Sequence, residues 1–527
     1  MEQEKETNDS KGLVKSSAVV GGMTFISRIS GFLRDVVFAN IFGASAHTDA
    51  FFISFKIPNF FRRLFAEGAL IQAFVPILND IKENDRDNLK RFISYMQGNL
   101  ALILILIVTL GIIFSETVIN IFAPGFGSGD DRLEVASAML KITFPYLFFI
   151  SLTALSAGIL NTHNRFFLPA ITPVILNLSL ILSAFYLTGF FENSIIALAY
   201  GVFFAGVLQY LIQLPALSRL NVLVFPRINF NFHGVNRVLK LMLPAALGSA
   251  VVQLNLVIDS IVASFLAVGS ISWLYYSDRL VEFPLAILGI AIATVALPTL
   301  SKKFSQGNIE DYKKTLYRAL RIVMILSIPA MAGLIVLAEQ LLFTLFKYGS
   351  FDSYDVNMSA LSLLAYSVGL PAFILMKVLL TGFFSRQDTK TPVKFGIIAI
   401  SFNITFNTIV VLLYFKNAFE GAHAFLALAT SLSAWLQVIL LSNRLKREEI
   451  LDRKLVYDSN VLKSLFSSIL MYIAISIVYD AIGDFSETSF YLRGLYLFIL
   501  IGTGVIVYFS IMKLAKVSVK DIFYGNN

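Results

Sequence analysis

Arginine side chains within apolar stretches are the residues of this chain best suited to bind a ligand. Arg28 and Arg34 lie in the segment SRISGFLRD, and Arg62 lies in the segment FKIPNFFRRLFAEGA. On insertion scales a cation at membrane depth costs roughly 2.5–3.5 kcal/mol. These arginines therefore predict one of two arrangements: ion pairs with intramembrane acids, or a hydrated cavity that receives an anion.

A second charged stretch, YYSDRLVEFP, contains Asp278, Arg279 and Glu282 within another apolar segment. Arg279 reaches Glu282 at the i,i+3 spacing of a helix, and Asp278 reaches the same glutamate at i,i+4. One face of this helix is therefore polar. The pattern predicts that both halves of the chain contribute charges to the membrane-embedded region.

Two interpretations of these charges stay open. Ion pairs that hold helices together explain Arg63 with Glu67, and Arg34 with Asp35, as well as a ligand site does. For Arg28, Arg62 and Arg279, which lie nearer the middle of their segments, we favour an anion site. The forked donors of an arginine match phosphate in a bidentate manner, so the sequence predicts a phosphate-bearing ligand.

The composition predicts an integral membrane protein, since 57% of the 527 residues are hydrophobic and 14% are charged. The chain has no cysteine, and its four histidines lack H-E-x-x-H spacing, so we expect neither disulfides nor a zinc centre. It also lacks a Walker A pattern and a constellation of nucleophile and base. We therefore expect a protein that is not an enzyme, does not use ATP directly and binds no nucleic acid.

The apolar runs predict an all-α polytopic membrane protein with about fourteen transmembrane helices. Lysine and arginine are concentrated in alternate loops, which by the positive-inside rule places both termini in the cytoplasm. The first twelve residues, MEQEKETNDSKG, are polar and lack an apolar core. They indicate a cytoplasmic tail rather than a cleaved signal.

Two pairs of short motifs recur along the chain. FVPILND and ALPTLSK close the second and eighth spans, and AGILNTHN and TGFFSRQD close the fourth and tenth. Pro76 and Pro298 are 222 residues apart, and Gly158 and Gly382 are 224 apart, which predicts a duplication. Six helices per unit give two parallel lobes, followed by two C-terminal helices. The predicted N-lobe is residues 14–220, the C-lobe is 236–445 and the final helix pair is 460–515. Cytoplasmic tails are predicted at 1–13 and 516–527.

The segments SRISGFLRD, GASAHTDAFFISFKIPNFFRRLFAEGALIQAFVPIL and WLYYSDRLVEFPLAILGIAIATVALPTLSK closely resemble the MurJ (MviN) lipid II flippases of bacterial peptidoglycan synthesis. The likeness extends over the whole chain in length, span count and repeat structure. It implies the multidrug/oligosaccharidyl-lipid/polysaccharide transporter fold, in which two six-helix lobes surround a cationic cavity and two final helices form a groove for a lipid tail. It also implies a location in the bacterial cytoplasmic (inner) membrane.

The resemblance assigns residues to the substrate site. It implies four essential cavity arginines, two required acids, and polar residues near the site and its portal. In this sequence they are Arg28, Arg34, Arg62 and Arg279, then Asp49 and Glu282, then Ser27, Asn59 and Glu67.

Some members of that family also bind sodium between the seventh, eleventh and twelfth helices. The matching positions here are Asp259, Asn403, Asn407 and Thr430. Asn407 stands where the family has an aspartate, and a neutral amide weakens a cation site. We expect no organic cofactor, and the bound ion that the sequence allows for is sodium or chloride.

The predicted function is export of lipid II, the undecaprenyl-diphosphate-linked disaccharide pentapeptide, from the cytoplasmic to the outer leaflet by alternating access. Its partners would be lipid II and the phospholipid bilayer; the sequence does not address oligomeric state. Two alternatives of the same fold stay open: a flippase for another polyprenyl-linked glycan, and a cation-coupled drug antiporter. A cation or drug exporter would be expected to present mainly carboxylates, whereas this chain presents arginines.

Overall fold

The structure is a computed structural model, and it describes residues 2–127, 131–451, 458–485 and 487–517. Within its helices the side chains of residues 2–18, 66–69, 243, 247–252, 254–256, 290 and 291 are not described. The described residues are helical almost throughout and include no strand. The predicted all-α fold class is therefore confirmed.

By their internal contacts the helices fall into two units, Met1–Gly269 and Ser270–Asn527. The α-helices described in the first unit are α1 (Glu2–Phe42), α2 (Ala46–Phe61), α3 (Ile71–Asn84), α4 (Leu89–Ile113), α5 (Ser115–Phe122), α6 (Arg132–Thr143), α7 (Tyr146–Thr162), α8 (Phe167–Tyr186), α9 (Ile196–Leu211), α10 (Leu214–Arg219) and α11 (His233–Ser264). Those described in the second unit are α12 (Ser270–Pro284), α13 (Ala291–Ser305), α14 (Ile309–Val336), α15 (Ala338–Leu345), α16 (Ser353–Phe384), α17 (Lys390–Asn417), α18 (Ala422–Arg447), α19 (Ser459–Ile482) and α20 (Phe490–Leu514).

Eleven helices of the described chain are long and apolar enough to cross a membrane. This makes the protein a multi-pass membrane protein, but it does not confirm the predicted count of fourteen spans. The three predicted spans outside the eleven lie in α1, in α2 with α3, and in α11. The first two contain Arg28, Arg34 and Arg62, and such charges lower the mean hydropathy of a helix.

Helix α11, the seventh predicted span, packs within the first unit. Near its start, Arg237 Nη1 donates to Asp80 Oδ2 of α3 at 2.9 Å. At its end, Ser264 Oγ accepts a hydrogen bond from the backbone N–H of Gly125 at 3.0 Å. A Cβ on Gly125 would lie 2.3 Å from the Ser264 carbonyl oxygen, so only glycine permits this close approach. The predicted lobes at 14–220 and 236–445 describe a sequence repeat, and they stay a prediction.

Each unit contains a π-helical segment in the middle of an otherwise α-helical rod. Arg62–Leu70 joins α2 to α3, and Leu285–Ile290 joins α12 to α13. Single π-helical turns occur frequently at functional sites, because they open the backbone ladder and re-aim side chains. The two segments begin 223 residues apart, which lies between the two offsets of the repeated motifs. The local structure therefore supports the predicted duplication.

Side chains from neighbouring helices satisfy backbone carbonyls that prolines leave without a helical partner. Pro58 has no N–H to donate to the carbonyl of Ser54, four residues earlier. Thr143 Oγ1 of α6 donates to that carbonyl oxygen at 3.2 Å. Helix α6 thus satisfies the carbonyl that Pro58 leaves free, and Pro58 lies four residues before Arg62.

The last two helices dock on α14 in the same way. Pro329 leaves the carbonyl of Ile325 free, and that oxygen accepts hydrogen bonds from Ser464 Oγ of α19 at 3.0 Å and from the Tyr508 hydroxyl of α20 at 2.7 Å. Buried apolar residues of α14, α19 and α20 form one cluster around this point. The helix pair predicted at 460–515 is therefore integral to the packing of the second unit.

We expect the double substitution Ser464→Ala with Tyr508→Phe to lower the free energy of unfolding by about 1–3 kcal/mol, since it leaves the buried Ile325 carbonyl without a donor. Each single substitution keeps one donor and should cost less than half as much. Thermal unfolding of the purified protein measures the effect. Tyr491→Phe is the matched control, because Tyr491 is 83% exposed on α20. If the double variant has the melting temperature of the wild type, the Ile325 carbonyl does not need these donors.

Candidate anion-binding site

Arg34 lies in a buried polar cluster between α1 and α8. The residue is 7% exposed and its neighbour Asp35 is 1% exposed. Arg34 Nε and Nη2 both donate to Asp35 Oδ1, at 2.9 and 2.6 Å, and Arg34 Nη1 donates to Asn177 Oδ1 of α8 at 3.0 Å. The guanidinium also lies over the Phe38 ring, 5.6 Å from its centroid. Arg34 therefore forms the ion pair with Asp35 that was one of its two interpretations. Through Asn177 it also joins α1 to α8.

Asn177 extends the cluster along α1. Its Nδ2 donates to the Ser27 carbonyl oxygen at 3.1 Å and to Ser30 Oγ at 3.0 Å. Ser30 Oγ itself donates to the Ser27 carbonyl at 3.0 Å. The asparagine thus fixes the backbone of α1 at Ser27, immediately before Arg28. Nothing local in the sequence marks Asn177 as a site residue, because its partners lie about 150 residues away.

Arg28 has the opposite environment. It is exposed on α1, and it makes no hydrogen bond or ion pair with any residue that the structure describes. Six residues of helix separate it from Arg34 and turn it about 120° away. One helix therefore presents one arginine that is held in the protein interior and one that is available to a ligand.

Arg62 begins the π-helical segment that follows α2. It is partly buried, and its Nε donates to Asn59 Oδ1 at 3.2 Å. Asn59 Nδ2 donates to the Phe55 carbonyl at 3.0 Å, so the amide is oriented by its own helix. Asn59 therefore orients the Arg62 guanidinium. The side chain of Glu67, the other predicted residue of this segment, lies outside the described residues.

Asp49 lies at the start of α2 and is fully buried. Its Oδ2 accepts a hydrogen bond from the backbone N–H of Gly269 at 2.8 Å. The adjacent residue Thr48 donates its hydroxyl to the Phe42 carbonyl at 3.1 Å, and Ser45 Oγ accepts from the Thr48 N–H at 3.2 Å. Asp49 thus ties the α1–α2 turn to the last residue of the first unit. At this bond the carboxylate contacts the backbone.

In the second unit, Arg279 lies on α12 with the acid that the spacing predicted. Arg279 Nη1 donates to Glu282 Oε2 at 2.7 Å, and its guanidinium lies 4.7 Å from the centroid of the Tyr275 ring. The two charged side chains are 33% and 46% exposed. A half-exposed pair of this kind contributes little to stability. The glutamate and the tyrosine therefore orient the guanidinium while leaving part of it accessible.

Each π-helical segment has an arginine, at its first residue or six residues before it, that bonds a side-chain acceptor three residues away. Arg62 bonds an acceptor three residues before it, Asn59, and Arg279 bonds an acceptor three residues after it, Glu282. The sequence pattern indicates both arginines but does not predict the π-helical turns. It also did not single out Lys377, an exposed cation within α16. A lysine inside an apolar run is the signal that could have identified it.

Three residues of the predicted sodium site lie together in the second unit. Asn407 Nδ2 donates to Asn403 Oδ1 at 2.9 Å, Asn403 Nδ2 donates to Thr430 Oγ1 at 3.3 Å, and Thr430 Oγ1 donates to the Leu426 carbonyl at 3.1 Å. Asn403 and Asn407 are buried. Their oxygen donors are neutral, and hydrogen bonds within the group already use several of them. Asp259 lies on α11 and is partly buried.

The chain matches known proteins along most of its length. The family profile described as lipid II flippase MurJ matches residues 38–499. The chain is 44% identical over 527 residues to the probable lipid II flippase MurJ of Vibrio cholerae serotype O1, which covers 98% of this chain and 99% of that protein. It is 39% identical over 443 residues to the lipid II flippase MurJ of Burkholderia cenocepacia, which covers 83% of this chain and 84% of that protein.

Solved structures show the same likeness. A lipid II flippase MurJ in an inward closed conformation superposes with a TM-score of 0.79 at 30% identity, covering 94% of this chain and 98% of that one. An inward-facing multidrug resistance MATE family transporter of the MOP superfamily superposes with a TM-score of 0.66 at 13% identity, covering 82% and 96%. The second likeness shows the fold alone. With the profile and the curated relatives, the first shows that this chain belongs to the lipid II flippase MurJ family.

Proposed function

We propose that this protein is a flippase that moves lipid II from the cytoplasmic to the outer leaflet of the bacterial inner membrane by alternating access. Membership of the MurJ family is the observation that carries the proposal. The arginines support it, since a diphosphate is the part of lipid II that forked cationic donors recognise. The protein acts as a transporter and not as an enzyme.

Within this proposal the arginines have different roles. Arg28, Arg62 and Arg279 bind the diphosphate, because each keeps guanidinium surface accessible. Arg34 is a positioning residue, because its donors are directed to Asp35 and Asn177. Asp49 and Asn59 are positioning residues too, and Ser27 contributes through its backbone. Glu282 orients Arg279 and is released when the diphosphate binds.

The membrane potential supplies driving force in this proposal. An anionic headgroup that moves outward gains about 2.3 kcal/mol per elementary charge for every 100 mV of outside-positive potential. The positive-inside distribution of lysine and arginine supports cytoplasmic termini, and the cargo enters from the cytoplasmic side. The last two helices, α19 and α20, hold the lipid tail, as the family resemblance implies.

Depletion of the protein in its host tests the function. Lipid II should then accumulate in the cytoplasmic leaflet, and an externally added enzyme that cleaves lipid II should find less substrate. Expression of the wild-type chain should restore cleavage. Accumulation of a different polyprenyl-linked glycan, with lipid II export intact, would favour the alternative flippase.

Coupling to sodium stays a prediction. If Asp259 joins Asn403, Asn407 and Thr430 around the ion, sodium should raise the melting temperature of the purified protein in a saturable manner. Asp259→Asn should remove that shift, because a carboxylate is the only charged ligand of the set. Potassium at the same ionic strength is the control. If sodium shifts neither the stability nor the transport rate of the wild type relative to potassium, sodium coupling should be dropped and the membrane potential is left as the driving force.

A further inference from the structure

The segment between α10 and α11 is an extended strap rather than a flexible loop. Residues 220–232 connect Arg219 to His233, and residues 222–229 have no helical structure. The strap lies wholly within the first unit. Its sequence, LNVLVFPRINFNF, contains no acidic residue.

Helix α4 clamps the backbone of this strap. Asn99 is fully buried, and its side chain makes both bonds that a neighbouring strand would make: Nδ2 donates to the Asn229 carbonyl at 2.8 Å, and Oδ1 accepts from the Asn229 N–H at 2.9 Å. Ser94 Oγ donates to the Phe225 carbonyl at 2.6 Å. A Cβ on Gly98 would lie 2.1 Å from the Arg227 carbonyl oxygen, so glycine lets the strap approach the helix.

Held in this way, the strap directs large apolar side chains outward. Phe225 is 84% exposed and Ile228 is 60% exposed, and Leu223 and Phe230 are exposed as well. Val222, by contrast, is 4% exposed and packs inward. The hydrogen bonds from Ser94 and Asn99 therefore fix a segment whose large apolar side chains face away from the protein.

The backbone and the charges specify what those side chains contact. Non-helical backbone is not tolerated in the hydrocarbon core when it faces lipid, so the strap must lie at or outside the membrane interface. Exposed cations surround it: Arg219, Arg227 and Lys240. These complement anionic headgroups, which attract basic segments to the membrane surface. Apolar side chains beside cations are the pattern of segments that lie in the interface plane.

We infer that residues 220–232 form an interfacial anchor: Phe225, Ile228 and their apolar neighbours enter the boundary between headgroups and acyl chains, and the flanking cations bind anionic phospholipids. The anchor fixes the depth of the start of α11 relative to the leaflet. This inference rests on the geometry of the strap and is independent of the cargo. By the charge distribution of the loops, the leaflet is the cytoplasmic one.

The absence of cysteine from the chain gives a direct test. Phe225→Cys introduces a single thiol, which is labelled with an environment-sensitive fluorophore in the full-length protein. The protein is reconstituted in vesicles of phosphatidylethanolamine and phosphatidylglycerol that carry a quencher near the headgroup. Gln306→Cys, exposed between α13 and α14, is the aqueous control. Phe498→Cys, 74% exposed on α20, is the control within the hydrocarbon.

The anchor predicts blue-shifted emission at position 225 and stronger quenching by a shallow quencher than by a deep one. Position 498 should show the reverse order, and position 306 should show neither effect. Replacing phosphatidylglycerol with phosphatidylcholine should reduce the shift at 225 and leave 498 unchanged. Ile228→Cys should reproduce the result, which guards against a local effect of one label. If both strap positions behave like 306 in a protein with wild-type melting, the strap faces water or another protein and the inference is wrong.

Discussion

Arg28→Ala is expected to abolish transport while leaving the folded protein intact. A charge-assisted hydrogen bond contributes about 1.5–3 kcal/mol, so the loss of the two bonds of one fork should weaken binding of a diphosphate roughly 100-fold or more. Arg62→Ala and Arg279→Ala should behave in the same way. Lysine should restore only part of the activity, since a point charge lacks the bidentate fork. Growth of a host depleted of its own flippase measures the loss.

Arg63→Ala is the matched control, because Arg63 is adjacent to Arg62 in sequence but exposed on a different face of the segment. It should support growth. The comparison is valid only if each alanine variant inserts into the membrane and melts at the same temperature as the wild type. Full growth with alanine at Arg28, Arg62 and Arg279 would contradict an arginine-based anion site.

Asp35→Ala is expected to lower the free energy of unfolding by about 3–5 kcal/mol, since it leaves the buried guanidinium of Arg34 without its carboxylate. The pair is almost fully buried, with side-chain exposures of 8% and 1%, so water cannot replace the lost partner. Thermal unfolding of the purified protein measures the change. Arg34→Met combined with Asp35→Leu should recover much of the stability, because replacing a whole buried pair avoids the unpaired charge.

The contrast with Arg28 makes this second prediction specific. Both arginines lie on α1, yet Arg28→Ala should be stable and inactive, whereas Asp35→Ala should be unstable. If Asp35→Ala melts like the wild type but does not transport, the Arg34–Asp35 pair belongs to the ligand site rather than to the packing of α1 on α8.

The sequence predicted what depends on local spacing. The apolar runs indicated helices, and the i,i+3 spacing predicted the Arg279–Glu282 contact. An ion pair between the adjacent residues Arg34 and Asp35 was one of two interpretations of that arginine. The structure brings both pairs together. Repeated motifs predicted a duplication, which the two π-helical segments support.

The sequence did not reveal partners that chain topology brings together. Asn177 meets Arg34 across 143 residues, and the Tyr508 hydroxyl meets the Ile325 carbonyl across 183. Nothing near either residue marks these contacts, because an asparagine or a tyrosine in an apolar helix has many other uses. The predicted count of about fourteen spans stays a prediction, since eleven helices of the described residues meet the length and hydropathy of a span. Of the helices that carry predicted site arginines, α1 and the rod of α2 and α3 fall outside the eleven, whereas α12 lies within one of them.

Transbilayer movement of labelled lipid II in reconstituted vesicles tests the central claim most directly. With an outside-positive potential imposed, the wild-type protein should move lipid II across the bilayer faster than protein-free vesicles do, and Arg28→Ala should reduce the rate to that of protein-free vesicles. A phospholipid label should not be moved by either protein. Wild-type protein that moves lipid II no faster than protein-free vesicles, or Arg28→Ala that moves it at the wild-type rate, would contradict the account.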